Sequence, residues 1–151
     1  MTERLTPPDA PPDWFDVHSG PVANPDWTAR QAWEYAERHM PLWAMVAMGV
    51  RSLVVWPLGL HAGRGQTKGI ALSRLPVVEE RAGAFETGLI DRHLTFTLRT
   101  ELKDSHATIT TRIWFNHWLG RVYLGVVWIG HKLILRHALR SLATARKGAP
   151  A

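Results

Sequence analysis

Two segments near the middle of the chain alternate with a period of two. From Arg92 to Leu102 the even positions Leu94, Phe96, Leu98 and Leu102 are apolar, while His93, Thr95, Thr97, Arg99 and Glu101 are polar. Successive side chains of a strand leave opposite faces, so this pattern predicts a strand with one buried side. Ala107 to Phe115 repeats it, with Ile109, Ile113 and Phe115 on the apolar side, Thr111 among them, and Thr108, Thr110 and Arg112 opposite. The polar Lys103 to His106 between the two predicts an antiparallel hairpin.

Beyond Asn116 the spacing becomes helical. Leu124, Trp128, His131, Leu135, Ala138 and Leu142 fall on one stripe, and Lys132, Arg136 and Arg140 on another, which predicts an amphipathic helix with a basic outer edge. Gly120, Gly125 and Gly130 interrupt it. Each costs a helix up to about 1 kcal/mol relative to Ala, which points to close approach of another surface or to a bend.

Upstream, Asp13 to His18 reads as a first edge strand. Asn24 before Pro25 reads as a helix start, since the Asn side chain can cap free amides and a proline at the first helical position loses no needed hydrogen bond. Ala29, Trp33, Ala36 and Met40 then share a face, and Pro41 disfavours helical geometry at Met40, so the helix should break there and restart. His61 to Gly69 is a glycine-rich loop, and Ile70 to Val78 and Ala84 to Ile90 supply two more strands. Two helices ahead of a mainly antiparallel sheet and one long final helix define an α+β chain.

At 151 residues the chain is long enough for a single core, which buries roughly 70% of the unfolded surface at that length. Residues 13–147 form the expected domain. Pro7, Pro8, Pro11 and Pro12 mark residues 1–12 as a flexible, extended tail, and residues 148–151 as a disordered C-terminus complete the division. The absence of cysteine excludes disulfides, thiolate metal sites and cysteine nucleophiles. Together with an N-terminus lacking a signal-peptide pattern, it makes the cytoplasm the expected location. Leu42 to Leu60 is nineteen residues with a single charge, Arg51, and is long enough to span a bilayer. Pro57, Gly59 and a central arginine costing at least about 2.5 kcal/mol favour a buried or cavity-covering helix instead.

The net charge is +5, and the stretch from Trp118 onward holds six Lys or Arg and no Asp or Glu. A basic stripe can track phosphates, but the aromatics fall on apolar faces rather than among the basic residues, so no specific nucleic-acid partner is expected. The same stripe suits peripheral contact with an anionic membrane surface. The sequence is also compatible with a homo-oligomer.

Several motifs together resemble one family. The run Asn116-His-Trp-Leu-Gly-Arg-Val-Tyr123 followed by His131 and a basic helix, the run Asp91-Arg-His-Leu-Thr-Phe96, and Trp43 through Arg51-Ser-Leu-Val-Val-Trp-Pro-Leu-Gly-Leu60 resemble DUF2867, a bacterial family of unknown function. The chain departs from that pattern at Thr95, where an acidic residue is expected, and at Ile129-Gly130, where Pro-Phe is expected. The family is similar to START-like (SRPBCC) helix-grip proteins. This resemblance implies a curved antiparallel sheet wrapped around a long C-terminal helix, with an apolar cavity between them, and ligand binding by analogy.

The candidate chemistry is sparse. Gly63 to Gly69 has glycines and Lys68 for a phosphate but lacks Walker spacing and leads into a strand, so an ordinary turn is the better reading. No two of the eight histidines stand at i, i+4, and no metal or cofactor is expected. Asp91 and His93 share a face at a strand entrance and could exchange protons, although their neighbours Thr95, Thr97, Arg99, Thr108, Thr110 and Arg112 make that face read as the solvated back of the sheet. His131 interrupts the apolar stripe of the last helix and titrates near neutrality. Thr111, Asn116 and Tyr123 would add oriented polar groups to an oily pocket, with Trp43, Met45, Met48 and Trp128 as its apolar lining.

The expected function is therefore binding of a small, mainly apolar molecule between sheet and C-terminal helix. Two alternatives stand beside it. One is an enzyme of the same fold, of cyclase, isomerase or lyase type, using His131 or the Asp91 and His93 pair. The other is an interaction module for a protein or a membrane surface.

Overall fold

A computed structural model describes residues 5–46, 75–90 and 93–148. Five strands form one antiparallel sheet: β1 (Trp14–Pro21), β2 (Val77–Arg81), β3 (Ala84–Ile90), β4 (Leu94–Lys103) and β5 (His106–Phe115), in the spatial order β1-β5-β4-β3-β2. Helix α1 (Ala29–Arg38) follows β1, and α2 (Trp118–Thr144) ends the fold. The β4–β5 pairing runs without a break from Leu94↔Phe115 to Lys103↔His106. It closes through Asp104 and Ser105, at φ 51° and 61°. Two consecutive residues in the left-handed region make the tight hairpin turn whose twist matches the flanking strands, and Asp tolerates that region better than most residues.

Helix α1 begins at Ala29 rather than at Pro25. Thr28 caps it: its hydroxyl accepts from the Gln31 amide at 3.2 Å while the Gln31 side chain accepts from the Thr28 amide at 2.9 Å. This reciprocal capping box satisfies two amides at once, which an isolated Asn24 would not. Asn24 is instead buried and spans to the far end of the chain, donating to the Arg146 carbonyl at 3.0 Å and accepting from the Gly148 amide at 2.7 Å. Ala29, Ala32, Trp33 and Ala36 are the buried face of α1, which ends before Pro41; helical backbone resumes at residues 42–46. Of the strand expected over Ile70–Val78, residues 70–74 lie outside the described residues; β2 includes its last two residues and runs on to Arg81, with Val77 paired to Thr87 and a bulge before Glu79.

One face of the sheet, called inner here, carries both helices. Leu135, Ala138, Leu139 and Leu142 of α2 meet Ala29, Trp33 and Ala36 of α1 over Phe85, Leu98, Ala107 and Ile109. A second cluster joins Leu94, Ile113 and Leu124, with Trp14, Phe96, Tyr123 and Val127 packed against it. A long C-terminal helix held against an antiparallel sheet is the helix-grip arrangement, and the expected α+β architecture is observed.

The outer face differs from a plain solvated back. Thr95 and Thr97 are buried there, and the proline-rich segment lies over this side. The Leu5 amide donates to the Val77 carbonyl at 3.1 Å, and the Trp114 indole donates to the Ala10 carbonyl at 2.8 Å. The Phe115 amide donates to the Asp13 carboxylate at 2.8 Å. A Cβ on Gly88 would meet Leu5 Cδ2 at 3.0 Å, so the segment sits directly on the strands. Beside it, buried Glu86 pairs with Arg112 and, at 3.3 Å, with Arg99, which also pairs with Glu79 and, at 3.0 Å, with Glu101. The threonine and charged row of the sequence is thus half covered by the N-terminal segment and half an ion-pair network.

Candidate functional site

Strand β1 runs against its own hydrophobic pattern. Trp14 pairs with Ile113 and faces the inner side, and the alternation then turns Asp16 and His18 inward and Phe15 and Val17 outward, where they are 64% and 49% exposed. Asp16 Oδ2 and His18 Nε2 are 2.8 Å apart, and both side chains are largely buried. A strand that hides a carboxylate and an imidazole while exposing Phe and Val goes against hydrophobic burial, the kind of local conflict that collects at functional sites.

Sheet register aligns these groups with others. One inner row reads Asp16, Thr111, Leu98, Thr87 and Val77 across the five strands, and the next reads His18, Ile109, Thr100, Phe85 and Glu80. The row on one side is apolar, Trp14, Ile113, Phe96 and Leu89. Thr111 Oγ1 lies 3.1 Å from His131 Nε2, so the middle of β5 is tied to the middle of α2. Thr87 and Thr100 are fully buried, and neither hydroxyl has a hydrogen-bond partner. The Trp33 indole N–H of the same core is also unpaired. Each such group costs about 1–3 kcal/mol if nothing satisfies it. Thr111 and Thr87 are two strands apart, roughly 10 Å, enough to contact opposite ends of a small molecule.

Burial holds the His131 imidazole below its ordinary pKa of 6.5; the Asp16 carboxylate opposes this shift and His18 adds to it. His131 is accordingly neutral at pH 7, able to donate or accept at Thr111 according to tautomer. Trp14 stands edge-on to Trp128, ring centroids 4.9 Å apart, and 6.2 Å from the His131 ring. The Lys132 ammonium sits 3.8 Å from the Trp128 ring centroid, a cation–π contact on that indole.

Of the residues singled out in the sequence, the structure brings together Thr111, His131 and Trp128, with half-buried Tyr123 nearby on α2 in the second core cluster. Asn116 is elsewhere: its amide donates to Thr95 Oγ1 at 3.1 Å, on the outer side. Trp43 and Met45 are exposed on the helical stretch after Pro41. His93 acts through its backbone, its carbonyl accepting from the amides of Asn116 and His117 at 3.0 and 3.1 Å where α2 begins. Asp91 and Met48, the glycine-rich loop 61–69 and most of the apolar stretch 42–60 lie outside the described residues. Asp16, His18, Thr87 and Thr100 are site residues that the sequence reading missed. Thr100 had a legible signal, a polar residue between Leu98 and Leu102 on the apolar face of its strand.

Among the described residues there is no cluster of three or more metal-ligating side chains, and no helix is long and apolar enough to cross a membrane. An open cleft of about 120 Å³ at the β4–β5 turn, lined by Val22, Asn24, Trp27 and Leu102, is smaller than the roughly 300 Å³ at which small-molecule sites begin.

The fold and this inner-face site define an α+β helix-grip domain with a polar band across the floor of its grip. The chain belongs to DUF2867, described as a protein family of unknown function, which it matches over residues 10–138. Among curated proteins, none matches it significantly.

Proposed function

We propose that this protein binds a small, mainly apolar molecule bearing one or two hydrogen-bonding groups, held between the inner face of the sheet and α2. The observation that carries the reading is the polar band itself. Asp16 and His18 are turned inward at the expense of Phe15 and Val17, and the buried Thr87 and Thr100 hydroxyls are left without partners. An apolar surround with a few fixed polar groups is the usual composition of small-molecule sites. The apolar row of Trp14, Ile113, Phe96 and Leu89 would contact the body of the ligand, and Thr87, Thr111 and His131 its polar ends.

Native mass spectrometry of freshly purified protein, followed by solvent extraction of whatever is bound, tests this. A mass increment that is released on denaturation and reduced in Thr87→Val is expected. A protein that emerges empty, and whose melting temperature is unmoved by a panel of apolar alcohols, ketones and carboxylic acids, would sink the reading.

A second reading has its own observation. The Asp16–His18 hydrogen bond beside a neutral His131 is an arrangement that can take and return a proton, so the same inner-face residues would serve an isomerase or lyase. It predicts that His18→Ala keeps the bound molecule but abolishes its turnover, whereas a pure binding protein returns its ligand unchanged.

A further inference from the structure

The opposite side of α2 carries a feature that ligand binding does not use. Trp118, Val122, Val126, Ile129 and Leu133 are all exposed, at successive spacings of four, four, three and four residues. That spacing aligns them on one face, an apolar strip roughly 22 Å long at 1.5 Å per residue. Val126 and Ile129 at its centre are 70% and 69% exposed. The described elements against which α2 packs are β1, β5 and α1, all on its other side. A strip of this kind is more than the scattered apolar residues of an ordinary surface.

The charges around the strip say what kind of surface fits it. Arg121 and Lys132 flank it, and exposed Arg136 and Arg140 continue it along the helix. The chain from Trp118 onward has no acidic residue. Two copies packed strip to strip about a two-fold axis would bring these cations together with no carboxylate on the helix to meet them. An anionic bilayer neutralises them and accepts the apolar side chains at the level of its headgroups, where tryptophan is favoured. We propose that α2 docks the protein peripherally on anionic membranes, lying in the plane of the surface with Trp118, Val126 and Ile129 inserted. This surface faces away from Thr111 and His131, so docking stands or falls independently of the ligand reading.

Co-sedimentation of the full chain with vesicles of phosphatidylcholine alone, and of phosphatidylcholine mixed with phosphatidylserine, tests it. The protein is expected to pellet with the mixed vesicles at low salt and to be released by high salt. An Arg136→Gln/Arg140→Gln variant should bind them roughly 25-fold more weakly. A Val126→Ser/Ile129→Ser variant, with unchanged circular dichroism, should not pellet at all. Failure of the native chain to pellet with mixed vesicles, equal binding to the neutral ones, or undiminished binding by a folded serine variant overturns the proposal. So does a dimer in sedimentation velocity that the serine variant dissolves, which would assign the strip to a second copy. Should the serine variant fail to fold, the salt response and the arginine variant decide.

Discussion

Thr111 Oγ1 and His131 Nε2 lie 3.1 Å apart and join the centre of the sheet to the centre of the long helix. The contact makes His131 part of the fold as well as part of the site. Its pH behaviour follows from burial. Since the folded chain holds His131 below 6.5, the unfolded chain takes up more protons as pH falls through that value. The stability contributed is complete above 6.5 and is lost progressively below it, until the folded imidazole also protonates. The melting temperature should therefore drop between about pH 8 and about pH 5, and drop less in His131→Gln. Parallel profiles would show that another group governs the acid limb.

Thr87 and Thr111 look alike in sequence and should respond oppositely to the same substitution. Thr87→Val removes a buried hydroxyl that has no partner, so the ligand-free protein should be unchanged or stabilised by about 1 kcal/mol. Thr111→Val leaves His131 Nε2 unpaired and should cost about 1–3 kcal/mol. Urea unfolding of the extracted, ligand-free proteins measures both.

The glycines of α2 also separate. A Cβ at Gly120 would lie 2.6 Å from the His93 carbonyl oxygen, a backbone atom fixed by two helix-start amides, so Gly120→Ala should destabilise by more than the roughly 1 kcal/mol that alanine gains in a helix. At Gly125 and Gly130 a Cβ meets nothing within 4 Å. Alanine there should stabilise by up to about 1 kcal/mol each, read from the denaturation midpoint.

Glu86 is the buried centre of the outer-face ion pairs, joining Arg99 to Arg112. Glu86→Gln leaves Arg112 without its carboxylate and should cost about 3 kcal/mol. Glu101→Gln, at an exposed member of the same network, should cost under about 1 kcal/mol. Similar losses at both positions in chemical denaturation would mean that burial at Glu86 does not set the strength of the network.

Much of the frame was legible because it rests on local rules. Ala84 to Ile90 is β3 as read, β4 and β5 differ from the expected spans only at their ends, and the hairpin turn falls inside Lys103 to His106. The inward stripe of α2 was also readable: Leu124, Leu135, Ala138 and Leu142 are buried, as period and polarity require. The helix start was misplaced because two capping signals stood four residues apart, and the reciprocal box at Thr28 and Gln31 satisfies more amides than Asn24 does.

The site was legible only in part. Thr111 and His131 could be found because each interrupts an apolar stripe on its own element. Asp16 and His18 could not, since Phe15 and Val17 are the apolar residues of that stretch and hydrophobicity alone would turn them inward. Their orientation is decided by pairing with β5: once Trp14 is opposite Ile113, a period of two leaves no choice for the rest of β1. The sequence by itself determined which segments are strands or helices and which side of β4, β5 and α2 is apolar, because those properties repeat within a few residues. Only the tertiary structure decided that Asp16, Thr111 and Thr87 share a row and that the N-terminal segment covers Thr97. It also left the strip from Trp118 to Leu133 facing outward, since register and layer order arise between segments far apart in the chain.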